Sequence, residues 1–134
     1  MASIFSRIVS GEIPAHKVAE DASHLAFLDI NPVAIGHVLI IPKKEIDYIF
    51  DLPSSDYLAL WAFAQQVGKG LKLAVPCLKV GISVIGLEVP HAHIHLVPMQ
   101  EMNDINFSKK KLNPSQEELQ ALCELIKSKV KPNL

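Results

Sequence analysis

Half of the chain's six histidines stand at alternate positions in one short stretch, Val89-Pro-His91-Ala-His93-Ile-His95-Leu-Val-Pro-Met99. The residues between and after them, Ala92, Ile94 and Leu96, are apolar. Side chains of a β-strand point alternately to its two faces, so the spacing predicts a strand with three imidazoles on one face and three apolar groups on the other. A helix would scatter the same positions. Alternate strand residues lie roughly 6.5–7 Å apart, which lets neighbouring rings converge on one small ligand. With an unperturbed pKa of about 6.5, imidazole is largely neutral at physiological pH and keeps a free lone pair. Three such rings suit a metal ion, or an anion held by N–H donors while one ring attacks it. A polar strand face without a ligand is the poorest reading, because unpaired buried imidazoles are costly.

A metal site wants a further ligand, usually a carboxylate, and an acceptor behind each ring. Glu88 is the obvious carboxylate, but it falls on the opposite strand parity from the histidines unless Pro90 disturbs the alternation. Nucleophilic attack at phosphorus needs less: one ring to attack, an acceptor to orient it, and donors beside it for the phosphoryl oxygens. His93, with a histidine on either side, is the natural nucleophile. A metal-dependent hydrolase using the triad as ligands is the alternative at this point.

The elements that must hold this stretch follow from the patterning. Residues 3 to 9 predict a short helix capped by Ser3 that presents Ile4, Phe5 and Ile8, broken by Gly11 and Pro14. Strands are expected at 17–20, 24–30 and 37–41, the last a β-branched run before Pro42. A helix of about five turns follows, with Ser54 at its N-cap and Tyr57, Leu60, Trp61, Ala64, Val67 and Leu71 on its buried face; Gly68 and Gly70 weaken it and Pro76 closes it. A strand over 78–85, bounded by Gly86, leads to the histidine strand. The last helix is expected from Asn113, with Pro114 at its first position and Gln116 completing the cap. Leu119, Leu122, Cys123, Ile126 and Val130 would line its buried side, with Lys127, Lys129 and Lys131 in its last turn. The fold class is α+β: one antiparallel sheet of about five strands with a long and a C-terminal helix packed on one face.

Composition narrows the function. The 134 residues, 49% of them hydrophobic, make a single domain, 1–134, with a real core. A net charge of −1 points to neither a nucleic-acid groove nor a membrane surface. The two cysteines, Cys77 and Cys123, stand alone and read as reduced thiols of a cytoplasmic protein. His16 and His24 read as surface residues, Trp61 as core, and Lys43, Lys44 and Lys109–Lys111 as solvated.

The triad and its surroundings resemble the histidine triad (HIT) family, in its Hint-like branch. The likeness rests on His91-Ala-His93-Ile-His95-Leu-Val97, Ile4-Phe-Ser-Arg-Ile8, Gly11-Glu-Ile-Pro14, Leu25-Ala-Phe-Leu-Asp-Ile30, Pro32, His37 and Ile41-Pro-Lys43. It runs from about residue 4 to 99, with a C-terminal helical extension at about 113–131. The resemblance implies a nucleotide phosphoramidase or nucleotidyl hydrolase that releases a purine nucleoside monophosphate through a covalent intermediate on His93. It implies that His91 and His95 interact with the phosphate and leaving group, with His37 as a fourth histidine beside them. It assigns Asp29 to the ribose hydroxyls, and Phe5, Ile8, Leu28 and Ile30 to an apolar purine slot. It also implies homodimers with a sheet continued across the interface. Gly86 and Val89 keep the family pattern, but Leu87 and Glu88 replace its usual Gln and hydroxyl residue. Glu88 would then act as a general acid, pair with an amine leaving group, or point away; a nucleotide-binding regulatory protein with little catalysis is the further alternative that these two replacements leave open. The paired N-terminal cysteines of the family's occasional zinc site are lacking, so no metal and no cofactor are expected.

Overall fold

The computed structural model describes residues 2–130. Three helices are α1 (Ile4–Val9), α2 (Ser54–Ala74) and α3 (Gln116–Val130), and five strands are β1 (Lys17–Glu20), β2 (His24–Leu28), β3 (Val38–Pro42), β4 (Lys79–Ser83) and β5 (Ile94–Met99). The strands form one antiparallel sheet in the order β1-β2-β3-β5-β4. The first three make the expected meander. β5 then enters between β3 and β4, which makes it an interior strand and leaves β4 as an edge.

Alternation divides the sheet residues between two layers. Ala26, Leu28, Val38, Ile40, Ile94 and Leu96 pack with α2 and α3 in the main core, whereas Leu25, Phe27, Leu39 and Ile41 pack with Phe5 and Ile8 of α1. Helices therefore cover both faces, and the expectation of one helical face holds only for α2 and α3. A six-residue helix such as α1 has no independent stability; burial of Phe5 and Ile8, at about 1.5–3 kcal/mol each, seats it. As expected, the Ser3 hydroxyl accepts from Ser6 N–H and caps it.

The helix boundaries differ in detail from the sequence reading. Pro53 rather than Ser54 occupies the N-cap of α2. α3 is capped by Ser115 rather than Asn113: its hydroxyl accepts from Glu118 N–H at 3.1 Å while Glu118 Oε1 accepts from Ser115 N–H at 3.2 Å. This reciprocal pair is the capping box, displaced by two residues. Lys131 lies outside the described residues. Gly70 has a use that its low helix propensity hid. A Cβ there would lie 2.5 Å from Val130 Cγ2 and 2.6 Å from Val130 Cα, so glycine lets α3 cross α2 at close range. Both cysteines are free, and buried Cys123 donates its S–H to the Lys17 carbonyl. Among the described residues no helix is long and apolar enough to cross a membrane.

Candidate active site

The three imidazoles do not ride on one continuous strand. β5 begins at Ile94, so only His95 lies within it, while His91 and His93 occupy an irregular segment before it. Local bonds pull that segment out of the ladder: Ala92 N–H donates to the Ile46 carbonyl at 2.6 Å and His91 N–H to the Val89 carbonyl at 2.8 Å. The predicted division of faces survives, since Ala92, Ile94 and Leu96 all join the core beneath α2 and α3.

His91 is fully buried, and both its ring nitrogens are used by the protein. Nε2–H donates to the Pro42 carbonyl at 2.7 Å, so in the neutral ring Nδ1 accepts, and the Ser3 hydroxyl lies 2.9 Å from it. Ser3 is held in turn by Glu45, whose Oε1 accepts from Ser3 N–H and from the Ser6 hydroxyl at 2.6 Å each. These bonds pull the Glu45 carboxyl down to about 2. The sequence reading had His91 touching phosphate or leaving group. In this geometry both its ring nitrogens are bonded within the protein, and its backbone carbonyl accepts from a neighbouring ring.

That neighbour is His93. Its Nδ1–H donates to the His91 carbonyl at 2.7 Å, which fixes the tautomer and leaves Nε2 as the free base. Phe5 meets the ring edge-on at 4.9 Å between centroids, and His95 does so on another side at 4.9 Å.

His95 is oriented by a relay. Val33 N–H donates to His37 Nδ1 at 3.2 Å, so the His37 proton sits on Nε2 and is given to His95 Nδ1 at 2.9 Å. His95 Nε2–H is then the open donor beside His93. Burial, reinforced by the neighbouring imidazoles, lowers His37 to about 3 and His95 to about 4, and burial also lowers His91. All three are neutral at pH 7, as this chain of donors and acceptors requires. Phe107 packs over His95 and His37, at 4.7 and 5.9 Å between centroids. It comes from the connector after β5, which is tied down by Leu112 N–H donating to the Pro32 carbonyl. Sequence reading passed over Phe107, because nothing in the local pattern marks a loop aromatic as a lid on a distant ring. Lys111, read as solvated, lies on the same connector; its positive charge acts on Asp29 and His37.

Asp29 stands just past the end of β2, with Oδ2 3.8 Å from His37 Nε2 and Oδ1 accepting from Asn31 N–H. Burial raises its carboxyl. Phe5 is in the site, and Ile8 packs behind it in the same cluster. Leu28 packs in the main core with α2 and α3 and shares a cavity wall with Asp29 and His37, while Phe27 lies beside Phe5 at 5.5 Å. Ile30 is half exposed beside Asp29. Gly86, at φ +74, turns the loop between β4 and β5 through a conformation that favours glycine. Glu88 is exposed on that loop, and its charge opposes that of Asp29 from a distance. His24, read as surface, is buried against Phe63 with Asp21 bonded to its Nδ1, away from the site. His16 stays near the surface, bonded to Gln116 and Gln120.

This geometry decides what the four site histidines can hold. Of their eight ring nitrogens six are bonded within the protein, and only His93 Nε2 and His95 Nε2 remain. A zinc site takes at least three protein ligands, so the donor set fits a bound anion better than a metal. Among the described residues no group of three His, Cys, Asp or Glu side chains is arranged to hold one.

A buried histidine base next to a histidine donor, on a five-stranded antiparallel sheet, defines a class, and comparison with known proteins gives it a name. Residues 10–102 match the HIT domain model, and the chain belongs to the HIT family. It is 31% identical over 131 residues to an uncharacterized HIT-like protein of Borreliella burgdorferi, covering 92% of this chain and 94% of that one. It is 34% identical over 133 residues to an adenosine 5′-monophosphoramidase of Schizosaccharomyces pombe, covering 98% and 100%. A Hit-like protein of Bartonella henselae superposes with a TM-score of 0.83 at 26% identity, covering 95% of each chain.

Proposed function

We propose that this HIT protein is a nucleotide phosphoramidase that releases a purine nucleoside monophosphate through a covalent intermediate on His93. The observation that carries the reading is the bond from His93 Nδ1–H to the His91 carbonyl, which leaves Nε2 as a free base beside the open His95 Nε2–H. The likeness to an adenosine 5′-monophosphoramidase supports the choice of bond. His93 Nε2 attacks phosphorus, the P–N bond to the amine breaks, and the amine departs with the electron pair and a proton from the aqueous mouth of the site. Water then attacks phosphorus and gives up a proton to the aqueous mouth of the site, the bond to His93 breaks with its electron pair returning to Nε2, and the monophosphate leaves. His95 Nε2–H donates to a phosphoryl oxygen throughout, and the neutral His37 behind it holds that orientation. His91 locks the tautomer of His93. Asp29, an acceptor-only group when ionised, binds the ribose hydroxyls. Ile30 and the α1 face at Phe5 and Ile8 receive the base. The Gly86 loop borders the phosphate, and Glu88 faces the leaving amine. No metal takes part.

The working unit is a homodimer of one-domain chains. The outer edge of β4 is unpaired in the sheet order, and exposed Ile82 lies on that strand with exposed Leu78 just before it, a surface suited to a second copy. The free state of both cysteines supports a cytoplasmic location. Incubation with adenosine 5′-phosphoramidate should release AMP in the wild-type protein. His93→Ala should abolish release while AMP affinity stays within a few-fold, and equal turnover by the variant removes His93 from the mechanism.

A further inference from the structure

The connector between β5 and α3 is polar and largely exposed, and Phe107 is the one aromatic residue it carries. Its neighbours Asn106 and Ser108 are exposed, while Phe107 itself is half-buried. A tight turn holds it in this position. Asn106 Oδ1 accepts from Ser108 N–H at 2.9 Å, the Asn106 carbonyl accepts from Lys109 N–H at 3.4 Å, and the Lys111 ammonium donates to the Phe107 carbonyl. Leu112 N–H then ties the connector to the Pro32 carbonyl at 2.9 Å, one residue before the Val33 N–H that fixes His37. One loop thus anchors both the aromatic ring and the histidine relay.

The Phe107 ring meets His95 at 4.7 Å and His37 at 5.9 Å between centroids. Those imidazoles are 9% and 2% exposed, and Phe107 stands on a surface connector, so its ring lies between the His37–His95 bond and solvent. We propose that Phe107 is a positioning residue of the reaction: it keeps water off the bond from His37 Nε2–H to His95 Nδ1, and so holds His95 Nε2–H on the phosphoryl oxygen. The inference rests on the phosphoramidase reading and adds to it a residue that acts through His95. The bond exists only between neutral rings. A proton added to His95 would set N–H against N–H across the 2.9 Å gap and turn the donor out of line. Burial is the first cause of the lowered values, about 4 for His95 and about 3 for His37, and an apolar cover supplies part of that burial. Among the groups facing the pair, His93 and the connector's Lys111 oppose a proton on His37, whereas Asp29 Oδ2, 3.8 Å from His37 Nε2, favours one. Glu88, on the loop after β4, acts on Asp29. The strands on either side of His95 set only Leu39 and Ser83 opposite it.

The test follows turnover of adenosine 5′-phosphoramidate and the ring Cε1–H signal of His95, assigned by its loss in His95→Gln. Phe107 belongs to neither core cluster, so Phe107→Ala, Phe107→Gln and Phe107→Leu should fold. Phe107→Gln fills the space with a polar group and Phe107→Leu keeps the cover apolar. At pH 7.5 the Ala and Gln variants should each lose about tenfold in kcat, less than the roughly 10²–10³ for deleting an oxyanion donor outright. KM should stay within about threefold. From about pH 8 to 5.5 the His95 signal should be flat in wild type and should begin to titrate in both of these variants. Phe107→Leu should recover kcat to within about threefold of wild type, with a flat His95 signal. If wild type releases no AMP, the phosphoramidase reading fails and this inference fails with it. If it does, the positioning role is refuted, and the reading stands, when the Ala and Gln variants match wild type in kcat or in their His95 signal. Phe107→Leu as slow as Phe107→Ala refutes it too, by showing that the aromatic ring rather than the exclusion of water is what matters.

Discussion

Acid should unfold this protein through the same rings that build its site. His37 and His95 are held at about 3 and about 4 by burial, against about 6.5 in an unfolded chain. Their folded pKa values are depressed, so below pH 6.5 the unfolded state binds more protons and stability falls with pH. Above pH 6.5 the two rings cost nothing. Between there and about pH 4 each removes about 1.4 kcal/mol per pH unit, about 2.7 for the pair. From pH 7.5 to 5.0 the pair should remove about 4 kcal/mol, a large part of an ordinary domain's 5–15. His91, shifted the same way, adds to the slope. Carboxylates with lowered pKa values, Glu20, Asp21, Glu45 and Asp104, are ionised in both states across most of this window. Asp29, whose carboxyl burial raises, works in the opposite direction. Urea unfolding at half-unit steps from pH 7.5 to 5.0 measures the slope. His37→Gln keeps an N–H toward His95 and removes one titration, so it should lower the slope by about 1.4 kcal/mol per unit. Stability that is flat down to pH 5, or a slope unchanged by His37→Gln, would show that these rings are not held neutral by the fold.

Three further outcomes follow from named contacts. Ser3→Ala removes the α1 cap, worth about 1 kcal/mol, and leaves buried His91 Nδ1 short of its donor, about 1–2 kcal/mol more; calorimetry should find Tm lower by about 6–10 °C. In α2, Gly68→Ala meets only Leu96 Cδ1 at 3.9 Å whereas Gly70→Ala meets the Val130 backbone. Chemical denaturation should therefore show the first neutral or stabilising by up to about 1 kcal/mol and the second destabilising by about 1–3, and a reversed order would contradict the close crossing of α3. Protein treated with EDTA and desalted should keep its full rate of AMP release, while loss of activity restored by zinc would revive the triad as a ligand set.

The patterned parts of the chain could be read in advance, and the parts set by distant contacts could not. Alternation at Ala92, Ile94 and Leu96 located the buried face, and the Ser3 cap, the long helix and the five strands follow from local rules. The same alternation misled where it was extended through His91 and His93, because the bonds to Pro42 and Ile46 that end the ladder come from residues some fifty positions away. Leu28 was assigned to the purine slot by likeness alone. One step of strand parity puts Phe27, not Leu28, against Phe5. Histidine is polar in any sequence count, so only the packed structure reveals that His24 stacks on Phe63 and that His91 has no free nitrogen. Phe107 depends on a connector returning to the site, which no periodicity encodes.

The central claim is a bond between His93 Nε2 and phosphorus. Mixing the protein with excess adenosine 5′-phosphoramidate, quenching within the first turnovers in alkaline denaturant and mapping the digest by mass spectrometry tests it most directly. One adenylyl group is expected on the peptide containing His93, localised to that residue and missing from His93→Ala. AMP release with no adduct at any time, or an adduct on another histidine, would contradict it.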